Sequence, residues 1–129
     1  MENIKGKNTI LFVDDDQIVL NVGTLMIKKL GYGVLQAKSG MEASQILKDN
    51  KDDICMVLLD VNIPGEKGSD TCARLKRIDP DVRIIHTSGM GIYRANQTLE
   101  CGCKGFIAKP FGIEGLSKKL RAFLKITNE

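Results

Sequence analysis

Six consecutive apolar residues, Ile54 to Leu59, run directly into Asp60, and no other stretch restricts the possible folds so far. A strand that is wet on one face alternates apolar and polar side chains. This run does not alternate, so it reads as a central strand of a parallel sheet covered on both faces. Pro64 removes a backbone donor and constrains Ile63, and Gly65 forms a turn, so the strand gives way to a loop near Asp60. Ligands of open parallel sheets bind beyond that edge. Asp60 is therefore either a binding-site carboxylate or no more than a turn cap, and the rest of the chain decides between them.

A second buried strand is predicted at Thr9 to Val13, and it too ends in acid, at Asp14, Asp15 and Asp16. From Gln17 to Leu30, Val19, Val22, Met26 and Leu30 recur at helical spacing, with Asp16 to cap the start and Gly31 to provide the exit. Gly33 to Ala37 is a weaker strand, and Ser39 to Glu42 is a capping box opening a helix with Ala43, Ile46 and Leu47 inward. A third helix over 69–78 carries Cys72, Leu75 and Ile78 on one stripe and is closed by Pro80. Val82 to His86 is the fourth strand, ending in Thr87, Ser88 and Gly89. A thinly apolar helix follows over 92–100. Gly105 to Ala108 is the fifth strand, with Lys109 and Pro110 at its end. Ile113, Leu116, Leu120, Phe123 and Leu124 then line a last helix opposite Lys118, Lys119, Arg121 and Lys125.

Five strands alternating with five helices predict an α/β fold: a doubly wound parallel sheet with right-handed crossovers and helices on both faces. At 129 residues the chain fits one domain, and its 43% apolar and 27% charged residues match an ordinary globular protein. No apolar run nears the roughly 20 residues that span a bilayer, and the first residues lack a signal peptide's apolar segment. A cytoplasmic setting without membrane contact is the expectation. A net charge of +3 with dispersed Lys and Arg gives no argument for nucleic acid. Cys55 and Cys72 read as core residues. Cys101 and Cys103 form a Cys-x-Cys with no second pair or histidine cluster to complete a metal site, so reduced thiols are expected. His86, the single histidine, reads as a packed residue inside a strand end.

In this arrangement Asp14, Asp15, Asp60, Ser88 and Lys109 each stand just beyond a strand, at one sheet edge. Three carboxylates gathered there repel by about 1 to 4 kcal/mol per close pair, so the cluster favours a cation. Oxygen-only ligands with room for water suit Mg2+, with Mn2+ as a substitute, better than zinc or a calcium cage. A metal, a lysine and a hydroxyl around one aspartate make a phosphoryl-transfer site, in which a carboxylate oxygen attacks in line to give an aspartyl phosphate.

These residues resemble the receiver domain of two-component response regulators, over nearly the whole chain from Ile10 to Leu124. The resemblance implies a flavodoxin-like sheet of strand order 2-1-3-4-5 in a single domain over 1–129, with its core at about 8–126. It implies that Asp15 binds Mg2+ directly, Asp14 mostly through water, and Asp60 both as a ligand and as phosphoacceptor. Asn62 stands where the family offers a backbone carbonyl to the metal. Pro64, Gly65 and Gly68 match the following loop, and Lys109-Pro110-Phe111 matches the family's lysine motif. Phe106 occupies the aromatic switch position. Thr87 and Ser88 both fit the switch hydroxyl, and counting from Pro80-Asp81-Val82 favours Ser88. Met90, two positions on, would stand near the phosphate's water access and slow hydrolysis.

On that resemblance the chain takes a phosphoryl group from a histidine kinase or histidine phosphotransfer domain. It then re-sets the surface of its fourth helix, fifth strand and fifth helix. It catalyses only its own phosphotransfer and dephosphorylation, as a monomer or a weak phosphorylation-dependent dimer, and is either a stand-alone regulator or part of a longer protein such as a hybrid sensor kinase. Two readings compete. A small Mg2+-dependent phosphohydrolase would use Asp60 as nucleophile, but Asn62 stands where its second aspartate belongs. A scaffold that binds partners without phosphorylation would have no need of the filled acidic and basic positions.

Overall fold

The structure, a computed structural model, describes residues 8–88, 105–109 and 112–128. Five parallel strands form one sheet: β1 (Thr9–Val13), β2 (Gly33–Ala37), β3 (Ile54–Asp60), β4 (Ile84–Ser88) and β5 (Gly105–Ala108), in the order β2-β1-β3-β4-β5. Four helices are described: α1 (Gln17–Lys29), α2 (Gly40–Asp49), α3 (Gly68–Ile78) and α4 (Ile113–Asn128). Of the five helices expected, the one over 92–100 lies outside the described residues.

The apolar run of β3 is buried on both sides because helices cover both faces of the sheet. Leu11, Val13, Val57, Leu59 and Ile84 pack beneath Ala43 and Leu47 of α2 and Cys72 and Leu75 of α3. Ile10, Phe12, Met56, Leu58, Ile85 and Ile107 pack beneath Leu20 and Ile27 of α1 and Leu116 and Leu120 of α4. Each such large apolar side chain withdrawn from water contributes about 1.5 to 3 kcal/mol to folding. Because β1 leads outward to β2 while β3 leads the other way to β4, the loops after β1 and β3 part to opposite faces. That topology opens a crevice between their carboxyl ends.

Local chemistry explains most of the element ends. Asp16 accepts from the Ile18 N–H at 2.9 Å and caps α1, and Gly31 leaves the helix at φ 102°. Ser39 accepts from the Glu42 N–H at 3.1 Å to cap α2, while Glu42 accepts from the Lys38 N–H at 2.7 Å, one residue earlier than a standard capping box.

Leu20, Gly23 and Ile27 are the buried residues of α1, and Val19, Met26 and Leu30 of the expected helical stripe pack partly buried against the same core, while Val22 is 47% exposed. A Cβ on Gly23 would lie 2.8 Å from Phe12 Cζ and closer still to Cε2, so glycine lets this face of the helix close onto the sheet. One expectation needs correction. The fourth strand runs Ile84–Ser88 rather than over 82–86, because its pairing with β3 begins at Val57 with Ile84 and ends at Asp60 with Thr87. Thr87 and Ser88 therefore belong to the strand instead of following it.

Candidate functional site

The crevice is lined by the acids that end β1 and β3. Asp14 continues β1 by donating its N–H to Ala37 O at 3.0 Å, and its side chain is fully buried. One carboxylate oxygen accepts from the Asp16 N–H at 2.9 Å, and the other accepts from Lys109 Nζ, also at 2.9 Å. Asp60, the last residue of β3, is 3% exposed; its Oδ1 accepts from the Asn62 N–H at 3.0 Å and lies 3.5 Å from Lys109 Nζ. Asp15 is exposed. One oxygen from each of Asp14, Asp15 and Asp60 falls within 4.8 Å of the other two. Strands β1 and β3 are hydrogen-bonded neighbours, so residues one step beyond their paired ends must meet. Lys109 arrives from β5, two strands away from β3, and spans the gap with its long stem.

Three carboxylates thus face one ammonium. Burial pushes the Asp60 carboxyl above its ordinary value; Asp14 and Asp15 add to this, while the Asn62 N–H and Lys109 oppose it. Burial alone would pull the Lys109 ammonium down, but its hydrogen bond to Asp14 and the charges of Asp60 and Asp14 outweigh that and raise it. Lys109 therefore stays charged beside Asp14 and Asp60. An all-oxygen donor set of this size and charge fits a hard divalent cation. Lys109 lies beside Asp60, as expected, and closer still to Asp14.

Thr87 lies in register with Asp60 on one side and Ile107 on the other. Its hydroxyl is wholly buried and has no hydrogen-bond partner among the described residues. Ser88 pairs with Ala108 and Phe106 with His86 along the β4–β5 edge. The side chains of Ser88 and Phe106, together with Met90, Cys101, Cys103, Pro110 and Phe111, lie outside the described residues. His86 is buried as expected, and burial pulls its imidazole down to about 4, so it is neutral at physiological pH. Pro64 is exposed, Gly65 takes φ 79° in the turn, and Gly68 is the first residue of α3. Cys72 is buried and Cys55 half-buried, and neither is in a disulfide.

One feature of the site was not legible in the sequence. Glu66, in the loop after Asp60, accepts from the Gly40 N–H through both carboxylate oxygens, at 2.9 and 3.1 Å. It ties that loop to the start of α2, 26 residues away in the chain. The one available signal, an acid just past the glycine turn, is common in exposed loops.

A doubly wound sheet with a lysine-bridged carboxylate crevice at its switch point defines a class of small α/β signalling domains. The family model for the response regulator receiver domain matches residues 10–121, and the chain belongs to that family. It is 31% identical to the sporulation initiation phosphotransferase F of Bacillus subtilis over 118 residues, 91% of this chain and 94% of that protein. It is 29% identical over 124 residues to the sensor kinase CckA of Brucella abortus, 95% of this chain but 13% of that protein. It spans about half the length of the transcriptional regulators that it also matches. A receiver domain protein from Clostridium thermocellum superimposes with a TM-score of 0.85 at 25% identity, covering 94% of this chain and 97% of that one. Receiver domains are modules of two-component signalling rather than enzymes acting on a separate substrate. Among the described residues no helix is long and apolar enough to cross a membrane.

Proposed function

We propose that this chain is a phosphoacceptor of a cytoplasmic phosphorelay, taking a phosphoryl group from a partner's phosphohistidine onto Asp60. The observation that carries the reading is the Lys109 ammonium held between Asp14 and Asp60, inside a cluster of three carboxylates. Asp14, Asp15, Asp60 and the Asn62 carbonyl would hold Mg2+, which when bound supplies positive charge to the transferring phosphoryl oxygens. An Asp60 carboxylate oxygen attacks phosphorus in line, the bond from phosphorus to the histidine nitrogen breaks, and the aspartyl phosphate keeps the charge beside Lys109. Lys109 offers donors to one phosphoryl oxygen once its hold on Asp60 is replaced by the product. The Asn62 N–H keeps the accepting carboxylate from turning away.

In this reading Ser88, with Thr87 as the alternative, supplies the hydroxyl that follows the new charge, and Phe106 on the adjacent strand moves with it. The surface formed by the expected helix over 92–100, β5 and α4 is then re-set, a two-state response of the kind phosphorylation drives. The docking face for the phosphohistidine partner is α1, where Ile18 and Leu25 are 73% and 70% exposed and Val22 lies between them. These three positions fall on one side of a helix that begins two residues after the crevice acids. An exposed apolar stripe of this kind marks an interaction surface. That similar proteins are named a sensor kinase and a phosphotransferase supports a relay partner of this type.

The test is labelling with acetyl phosphate and Mg2+. Wild type should become acid-stable and base-labile labelled at one residue, and Asp60→Asn should take no label. Persistent labelling of that variant at another residue would defeat the assignment.

A further inference from the structure

Helices α2 and α3 lie side by side on the sheet face away from α1, and a cleft of about 310 Å3 opens between them. Met41, Ser44 and Lys48 of α2 face Arg74, Arg77 and Ile78 of α3 across it. The remaining lining residue, Gln45, donates to Asp49 on its own helix. The lining thus carries three positive charges and no negative one. Among the described residues no hydrogen bond or ion pair is made by the side chains of Lys48, Arg74 and Arg77. Arg74 and Arg77 are three apart on one helix, where like charges oppose each other. Between the cations the walls are apolar: Met41 is 68% exposed, a large thioether side chain left in water at the mouth, with Ile78 opposite it.

We infer that this cleft docks an acidic segment of a partner protein, one carrying an apolar side chain between its carboxylates. The volume holds a few side chains rather than a folded surface. The apolar side chain would cover Met41, whose flexible thioether adapts to its shape. Flanking carboxylates would take the forked donors of Arg74 and Arg77 and the ammonium of Lys48, compensating charges that now repel one another. The chemistry disfavours a nucleotide, since the cleft has no aromatic wall to stack a base. The docking face is separate from the stripe on α1 and does not require Asp60 to be the phosphoacceptor. It is nonetheless joined to the crevice, because the first amide of α2 is held by Glu66 from the loop after Asp60.

The experiment is a titration of the isotopically labelled full chain, followed through its amide NMR signals at physiological salt. The probe is a synthetic peptide alternating Glu and Leu, with all-Glu and Lys/Leu peptides as controls. The Glu/Leu peptide should shift the signals of Met41, Gln45, Lys48, Arg74 and Arg77 saturably, and both controls should bind at least about tenfold more weakly, a loss of about 1.4 kcal/mol. Combined K48E, R74E and R77E should abolish binding with acetyl phosphate labelling unchanged. Met41→Ser, a change at an exposed position that the fold tolerates, should weaken binding several-fold should the charge reversal not fold. Equal binding of the all-Glu peptide, shifts centred on α1, or binding unaffected by Met41→Ser and the charge reversal would overturn the inference.

Discussion

Replacing Asp60 by Asn preserves the side chain's shape and removes one charge from the crevice. With an effective dielectric near 20, two carboxylates at the cluster's outer limit of 4.8 Å repel by about 3.5 kcal/mol, and the 3.5 Å approach of Lys109 returns about 4.7 kcal/mol. Asp15 is exposed, so its share is screened to roughly half. These direct terms nearly cancel for Asp60, leaving the cost of holding a 3%-exposed carboxylate away from water, the foremost cause of its raised carboxyl. The Asn oxygen keeps the bond from the Asn62 N–H. Asp60→Asn should therefore stabilise the metal-free protein by about 1 to 2 kcal/mol, or about 4 to 7 °C in Tm for a chain of this length.

The pH dependence has a definite sign. A carboxyl raised in the folded state weakens the fold as pH climbs from its unfolded value of 3.8 through the folded one, and costs nothing below. The advantage of Asn should be full at neutral pH and should vanish as pH falls below about 4. Thermal unfolding by circular dichroism in EDTA, compared between the two proteins from neutral to acid pH, measures it. A variant no more stable than wild type at neutral pH, or one whose advantage ignores pH, would refute this account of the crevice.

Added Mg2+ should raise the Tm of wild type and move the Asp60→Asn variant much less, since a ligand stabilises only a state that binds it. Lys109→Met should cost about 2 to 4 kcal/mol in urea unfolding, because it strands the buried Asp14 carboxylate, and Asp60→Asn in the same chain should not restore that loss in full. Glu66→Ala should cost about 1 kcal/mol and speed hydrogen exchange of the Gly40 amide selectively. Ile18→Ser with Leu25→Ser should leave stability within about 0.5 kcal/mol and acetyl phosphate labelling intact, yet slow transfer from a phosphohistidine partner.

Much of this protein was legible in its residues. The unbroken run of β3, the acids closing β1 and β3 and the caps at Asp16 and Ser39 are local signals, and each strand or helix that they predicted among the described residues is present. The carboxylate cluster followed from them, because neighbouring strands of a parallel sheet must bring their ends together. How closely α1 approaches the sheet was not legible, because it rests on the Phe12 ring fitting over Gly23.

Local pattern by itself determined the alternation of strands and helices, and with it the edge at which the acids gather, since backbone hydrogen bonding and side-chain periodicity act within a few residues. Only the tertiary structure decided that Lys109 reaches Asp14 more closely than Asp60, that Glu66 fastens a loop to a distant helix, and that three cations of α2 and α3 share one cleft. Those are contacts between residues far apart in the chain. Their distances depend on how the helices and loops pack, to which no single segment holds the answer.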